Sequence, residues 1–511
     1  VITRKNWHNS RFGRRTFLGA AGGTTAALLL GNGNGAWARS AGAAPATARA
    51  PFGELVPDPA GILDLPPGFQ YRIISPEGGK LYNGAPVPGD HDGMAAFAGP
   101  GGTIILVRNH EIRLSDPEKN PTLSEPNPVQ GKNPYKPNGT RIETGGTTAI
   151  IVGPDRREIR DFVSSSGTRN NCAGGQTPWG TWLTCEEDRT QGHGYVFEVD
   201  PNDPENDLSR TPIPAMGFFS HEAAGIDPQT GIVYLTEDDG RGQINATDPN
   251  KDTRNSFLYR YIPFDVSQRP GALQRGGTLQ ALKIDERPAI DADFFDQGQR
   301  FAVRWVDVDP VEPHDGALAQ GCVKFNRLEG AHFAGGAFWF DDTAGGEKRL
   351  GQVYRYIPAT NTLELFYEGT SDNQMESPDN ITVAPWGDLW FAEDGDGANR
   401  MMGITPEGAV YTFANNRLKI GTEGDFSEVA GPCFSPDGQT FFLNIQTPGV
   451  TFAIWGPFPR PNAARVRQMA FAAPPAYLAP QFDGALLEAA QKYRLSPLEA
   501  AAYVRFGVPL L

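Results

Sequence analysis

The chain has few of the residues from which disulfide and zinc frameworks are built. It holds 4 cysteines and 7 histidines in 511 residues, and the cysteines, at 172, 185, 322 and 433, form no Cys-x-x-Cys pair. A zinc ribbon and a dense disulfide scaffold are therefore excluded. Gly-x-Ser-x-Gly, His-Glu-x-x-His and phosphate-loop motifs are absent, and so is a dinucleotide fingerprint, so serine hydrolases, zincins and nucleotide-binding enzymes lack their signatures. No apolar run free of charges approaches the ~20 residues of a bilayer span, which leaves no stable membrane anchor. Positive charge is also in deficit: 45 Lys plus Arg against 60 Asp plus Glu give a net charge of -15. Binding to nucleic acid or an anionic membrane by simple attraction is disfavoured.

What is abundant is glycine and proline, 61 and 44 residues, with a hydrophobic fraction of 39% that still permits a core. This composition suits many short strands joined by tight turns. A repeat confirms the pattern: a turn with glycine, four or five strand-forming residues, then an acidic or amide residue. Its six copies end at Glu111, Glu187, Asp238, Asp342, Asp394 and Gln446, for example Pro385-Trp-Gly-Asp-Leu-Trp-Phe-Ala-Glu-Asp394. Upstream of each lies a short segment opening on a potential ligand: Asp92, Cys172, Glu222, Glu329, Asp379 and Glu428. Radial repetition of small antiparallel sheets protects their edges, so six hairpins predict an all-β, six-bladed β-propeller around a channel, with long insertions where copies are widely spaced.

The two ends carry other signals. Arg11-Phe-Gly-Arg-Arg-Thr-Phe-Leu18 followed by a small and apolar run reads as a twin-arginine export signal over residues 1–38, with a linker at 39–50. The propeller is expected over 51–482. A helical appendage follows at 483–511, where Ser496-Pro-Leu-Glu499 forms a capping box. Such a leader predicts a folded protein delivered by the twin-arginine translocase to the periplasm or outside the cell.

Six strand ends converging on one axis crowd carboxylates, and crowding is tolerated only with cations among them. Calcium suits oxygen donors such as Glu111, Glu222, Glu329, Asp379, Asn380, Glu393 and Asp394. Cys185 and Cys433 read as buried core. Cys172 stands in the polar, Gly-rich stretch Asn170-Asn-Cys-Ala-Gly-Gly175, and a thiolate among acids points to a softer transition ion. His110 and His221 each precede a glutamate and read as supporting or packing residues.

At these residues the sequence resembles the PhoX-type alkaline phosphatases. The segments are Arg108-Asn-His-Glu111, Asn171-Cys-Ala-Gly-Gly through Cys185-Glu-Glu187, His221-Glu-Ala-Ala-Gly-Ile-Asp-Pro228, Arg327-Leu-Glu329, Ser377-Pro-Asp-Asn380 and Glu428-Val-Ala-Gly-Pro432. The resemblance implies an iron and calcium cluster in the channel (Fe3+ and Ca2+) and hydrolysis of small phosphate monoesters. It implies Cys172 on iron, Glu222 and Glu329 beside it, Glu111, Glu186, Asp379, Glu393 and Glu428 as further metal ligands, and Arg327 on the phosphate. The chain departs from larger members in Leu328, where they carry proline. A calcium-dependent lactonase-like propeller would share the acidic channel without iron, and Cys172 discriminates it; in an exported binding propeller without activity, metals would only stabilise the blades, and loss of channel residues would reduce stability with no turnover to lose.

Overall fold

Each repeat folds as a hairpin because its turn contains a glycine in the left-handed region. These are Gly101 and Gly102, Gly180, Gly231, Gly335 and Gly336, Gly387 and Gly438, with φ between 65° and 106°. A side chain there would be strained, and the tight return would open. The structure is a computed structural model. It describes residues 51–462 apart from 114, 116–118, 120–133, 138–142, 203–205, 240–254 and 421–424. The expected export signal, linker and C-terminal helical segment lie outside the described residues.

The six hairpins found six antiparallel sheets, the blades of a propeller. Their innermost strands are His91–Ala98, Asn171–Gln176, His221–Ile226, Leu328–Ala334, Pro378–Val383 and Val429–Phe434, in blades 1 to 6. The second strands are Ile104–His110, Trp182–Glu186, Val233–Glu237, Ala337–Asp342, Leu389–Glu393 and Phe441–Ile445. Each inner strand touches that of the next blade, and blade 6 returns to blade 1. The ring is closed by the beginning of the chain: Gln70–Ile74 pairs with Val450–Trp455 as the outer strand of blade 6, in the register Gln70↔Trp455 to Ile74↔Thr451. Among the described residues there is one α-helix, Pro313–Ala319, and no helix long and apolar enough to cross a membrane.

The core lies between blades. One apolar cluster fills each junction, from Ala95, Val107 and Trp182 between blades 1 and 2 to Met94, Leu106 and Phe442 between blades 6 and 1. Trp339 and Trp390, both fully buried, anchor the 4–5 and 5–6 junctions. Truncating such a ring to alanine costs about 3–5 kcal/mol. Cys185 and Cys322 are buried in the 2–3 junction and Cys433 in the 6–1 junction, all as free thiols. The junctions fix the blades, and the blades hold their inner strand ends around one mouth of the channel.

Candidate active site

In blades 1 to 5 the inner strand begins with the same irregularity. Its first residue pairs with the last residue of the second strand, as in His91↔His110, and pairing resumes three residues on, as in Met94↔Arg108. The same shift falls at Asn171/Gly174, His221/Ala224, Leu328/Ala331 and Pro378/Ile381, and one residue later, at Ala430/Cys433, in blade 6. Two residues opposite one make a β-bulge, which re-aims a side chain. The first bulged residues are Asp92, Cys172, Glu222, Glu329 and Asp379. The next position is small in four of these blades because the inner strands meet backbone to backbone: a Cβ on Gly93 would lie 2.5 Å from Ala173 Cα, and one on Gly330 2.2 Å from the Asp379 carbonyl oxygen.

A second set of side chains comes from the residue just after each second strand: Glu111, Glu187, Asp238, Thr343, Asp394 and Gln446. Their backbone N–H groups donate to the carbonyls of Asp90, Asn170, Ser220, Arg327, Ser377 and Glu428, at 2.9, 3.1, 3.1, 3.0, 2.9 and 3.3 Å. Four of those acceptors, Asp90, Asn170, Arg327 and Ser377, have positive φ between 44° and 66°. Left-handed backbone in non-glycine residues costs about 1–3 kcal/mol each and gathers where function requires it. Glu428 enters the site from this acceptor position, just before the inner strand, rather than from a bulge; in blade 6 the bulged residues are Gly431 and Pro432.

Together these positions bring Cys172 to Glu187 and Glu222, Asp92 to Glu111 and Glu428, Glu222 to Glu329 and Asp379, and Asp379 to Asp394 and Glu428. In each group the potential ligand atoms lie within 4.8 Å of one another. Cys172, Glu222, Glu329, Glu111, Asp379 and Glu428 thus converge. Glu186 and Glu393 do not join them, because each is one residue short of the mouth position and strand alternation turns it away. Glu186 accepts from His193 Nδ1 at 2.7 Å and from the backbone N–H of Arg169 at 2.9 Å and Tyr195 at 3.1 Å. Glu393 accepts from Arg400 Nε at 2.6 Å and the Glu376 N–H at 3.0 Å. Glu187 and Asp394, one step further on, take the mouth positions instead; Glu187 and Asp238, which the sequence marks only as repeat ends, are not among the expected ligands. His110 and His221 are also turned away, bonded to the carbonyls of Gly89 and Gly217 at 2.8 and 3.0 Å.

Burial, followed by repulsion from neighbouring acids, pushes the carboxyls of Asp92, Glu222, Glu329 and Glu428 well above the usual range. Glu187 and Asp379 are raised to about 8, again mainly by burial. Burial also raises the Cys172 thiol, with Glu222 the next contributor. Such a set is ionised together only around cations. The donors fit metal ions: Asp92 Oδ1 is buried with no hydrogen-bond partner, and hard oxygen ligands surround one sulfur. Arg327 is the cation built in by the chain. Its Nε and Nη2 donate to Asp238 Oδ1 and Oδ2 at 3.0 and 2.6 Å, and Nη2 also reaches Glu329.

The model of the family described as alkaline phosphatase PhoX matches residues 50–449, which includes every residue of the channel mouth. The chain belongs to the PhoX family. It is therefore an alkaline phosphatase, metal-dependent as that family is, built as a six-bladed propeller. Among solved structures it is similar to the PhoX of Pseudomonas fluorescens in complex with vanadate, a transition state analogue. The two are 20% identical with a TM-score of 0.57, over 78% of this chain and 96% of the other. A gluconolactonase from Xanthomonas campestris aligns over 80% of this chain and 98% of its own, at 12% identity and a TM-score of 0.40. No curated protein sequence matches the chain.

Proposed function

We propose that this PhoX-family chain is an exported hydrolase of phosphate monoesters that works with iron and calcium in the propeller channel. The observation that carries the choice of metals is the position of Cys172. Its sulfur is the single soft donor in a mouth of carboxylates and stands with Glu187 and Glu222. A thiolate flanked by two carboxylates suits Fe3+, whereas the groups made only of Asp92, Glu111, Glu428, Asp379 and Asp394 suit Ca2+. When bound, such metals polarise phosphoryl oxygens and make an oxygen nucleophile available.

The chain's own residues then position and stabilise. Arg327, held by Asp238 through two parallel hydrogen bonds, presents a planar guanidinium to the oxygens of the transferring group and stabilises their charge. Gln446 and Arg113 donate to opposite oxygens of Glu111, fixing that carboxylate's orientation. His110 and His221 hold the strand ends and take no proton from the channel, since burial depresses both imidazoles, His221 to about 3. The twin-arginine sequence and apolar leader support export, and loading of metals before export suits a route that carries folded proteins.

The test is turnover of a chromogenic phosphate monoester and of a lactone by the purified protein, with and without a chelator. Monoester hydrolysis abolished by the chelator is expected. Lactone hydrolysis without phosphate release would overturn the proposal.

A further inference from the structure

The channel mouth holds a second guanidinium besides that of Arg327. Arg113 follows the blade 1 mouth residue by two positions, and its Nη2 lies 2.9 Å from Glu111 Oε1. Blades 1 and 4 face each other across the axis of a six-bladed ring, so Arg113 and Arg327 approach the mouth from opposite sides. Arg113 is the more open, its side chain 40% exposed against 22% for Arg327, as expected of a group nearer the solvent. The positive charge of each arginine favours the ionised form of Glu187, the partner of Cys172 and Glu222. Arg113 in turn responds to Glu111, Glu187 and Glu428, one from each of three blades.

A counter-ion role alone does not account for this placement. Once cations take up part of the charge of Glu111, Glu187 and Glu428, these acids hold the guanidinium less strongly and it can also engage an incoming anion. A tetrahedral oxyanion seated between the metals and the two arginines satisfies both at once, and arginine offers the forked donors that phosphate oxygens match.

We propose that Arg113 is a second phosphate-contacting residue, closing on the bound phosphoryl group from the side opposite Arg327. The inference rests on the phosphatase reading of the channel. It makes Arg113 a determinant of affinity for the phosphoryl group and for the phosphate product alike.

The experiment is calorimetric titration of inorganic orthophosphate into the purified, metal-containing protein. It compares wild type, Arg113→Ala and Arg113→Lys, with metal content and melting temperature measured on each. KM and kcat for a chromogenic monoester are recorded in parallel. Arg113→Ala should weaken orthophosphate binding about ten- to a hundredfold and raise KM alongside, as for the loss of a charged hydrogen bond. Metals should be retained, and Arg113→Lys should recover only part of the loss. Unchanged orthophosphate affinity in Arg113→Ala would overturn the inference, and so would a loss of affinity that disappears once metal content is restored to the wild-type level, which would leave Arg113 as a brace for Glu111 only. Wild type that binds orthophosphate without hydrolysing the monoester would overturn the phosphatase reading alone, leaving the variant comparison to decide the anion site. Wild type that does not bind orthophosphate would overturn both.

Discussion

Two adjacent glutamates should behave in opposite ways when each is replaced by glutamine. Glu186 is a fully buried brace whose carboxylate accepts three hydrogen bonds, from His193 Nδ1 and the N–H groups of Arg169 and Tyr195. Glutamine keeps one acceptor oxygen and turns an NH2 toward a donor, so hydrogen bonds to charge worth about 1.5–3 kcal/mol each are broken or reversed. Burial raises this carboxyl too, which offsets part of that loss, and a net loss of about 3–5 kcal/mol is expected. With an unfolding entropy of ~2.1 cal/mol/K per residue over roughly 400 residues, the melting temperature should fall by about 4–6 °C. Glu187→Gln instead leaves the fold intact and removes a donor from the Cys172 group. In metal-free protein it should not destabilise: the folded Glu187 carboxyl titrates near 8 against 4.5 for an ordinary glutamate. The folded state then holds a proton that the unfolded state has lost, so stability falls as pH rises from about 4.5 to about 8. Glutamine removes that penalty, and Glu187→Gln should melt at or above wild type at pH 8 once metals are stripped. The assay is differential scanning calorimetry of chelated protein at pH 5 and pH 8, with elemental analysis of unchelated samples. If Glu186→Gln loses metal at unchanged stability while Glu187→Gln keeps it, the assignment of brace and ligand is refuted.

Chelation itself should become more destabilising with pH, since Asp92, Glu222, Glu329, Asp379 and Glu428 are also raised. Melting curves with and without chelator should diverge from pH 5 to pH 8, and parallel curves would contradict the cluster. Arg327→Lys keeps the charge but loses the fork on Asp238. A fall in kcat of about 10²–10³, with metal content intact, is expected from steady-state kinetics. Gly330→Ala would place a Cβ 2.2 Å from the Asp379 carbonyl oxygen. It should cost about 1–3 kcal/mol by calorimetry and lower metal content by parting blades 4 and 5.

Much of this was legible in the sequence because the fold repeats. A glycine-containing turn marks each of the six hairpins, and the acids that flank them mark one end of a channel. Phase was not legible where acids are adjacent. Glu186 and Glu187, or Glu393 and Asp394, differ only in which side of the strand end they leave, and that depends on where pairing stops. Glu428 looks in sequence like the other segment-opening ligands, yet it reaches the site from the residue before the inner strand, because blade 6 shifts its bulge by one residue. Asp238 ends a repeat copy but is not marked there as a site residue, and Arg113 carries no repeat signal. The first became visible through its paired bonds to Arg327, the second through its contact with Glu111. The closure of blade 6 by Gln70–Ile74 joins residues far apart in the chain, which no local pattern reports.

The most direct test of the central claim is elemental analysis of the purified wild type and Cys172→Ala, with hydrolysis of a chromogenic phosphate monoester measured on the same samples. Iron and calcium with turnover are expected in the wild type, and loss of iron and of turnover in the variant, with calcium retained. Calcium without iron in the wild type, and no phosphate release, would contradict it.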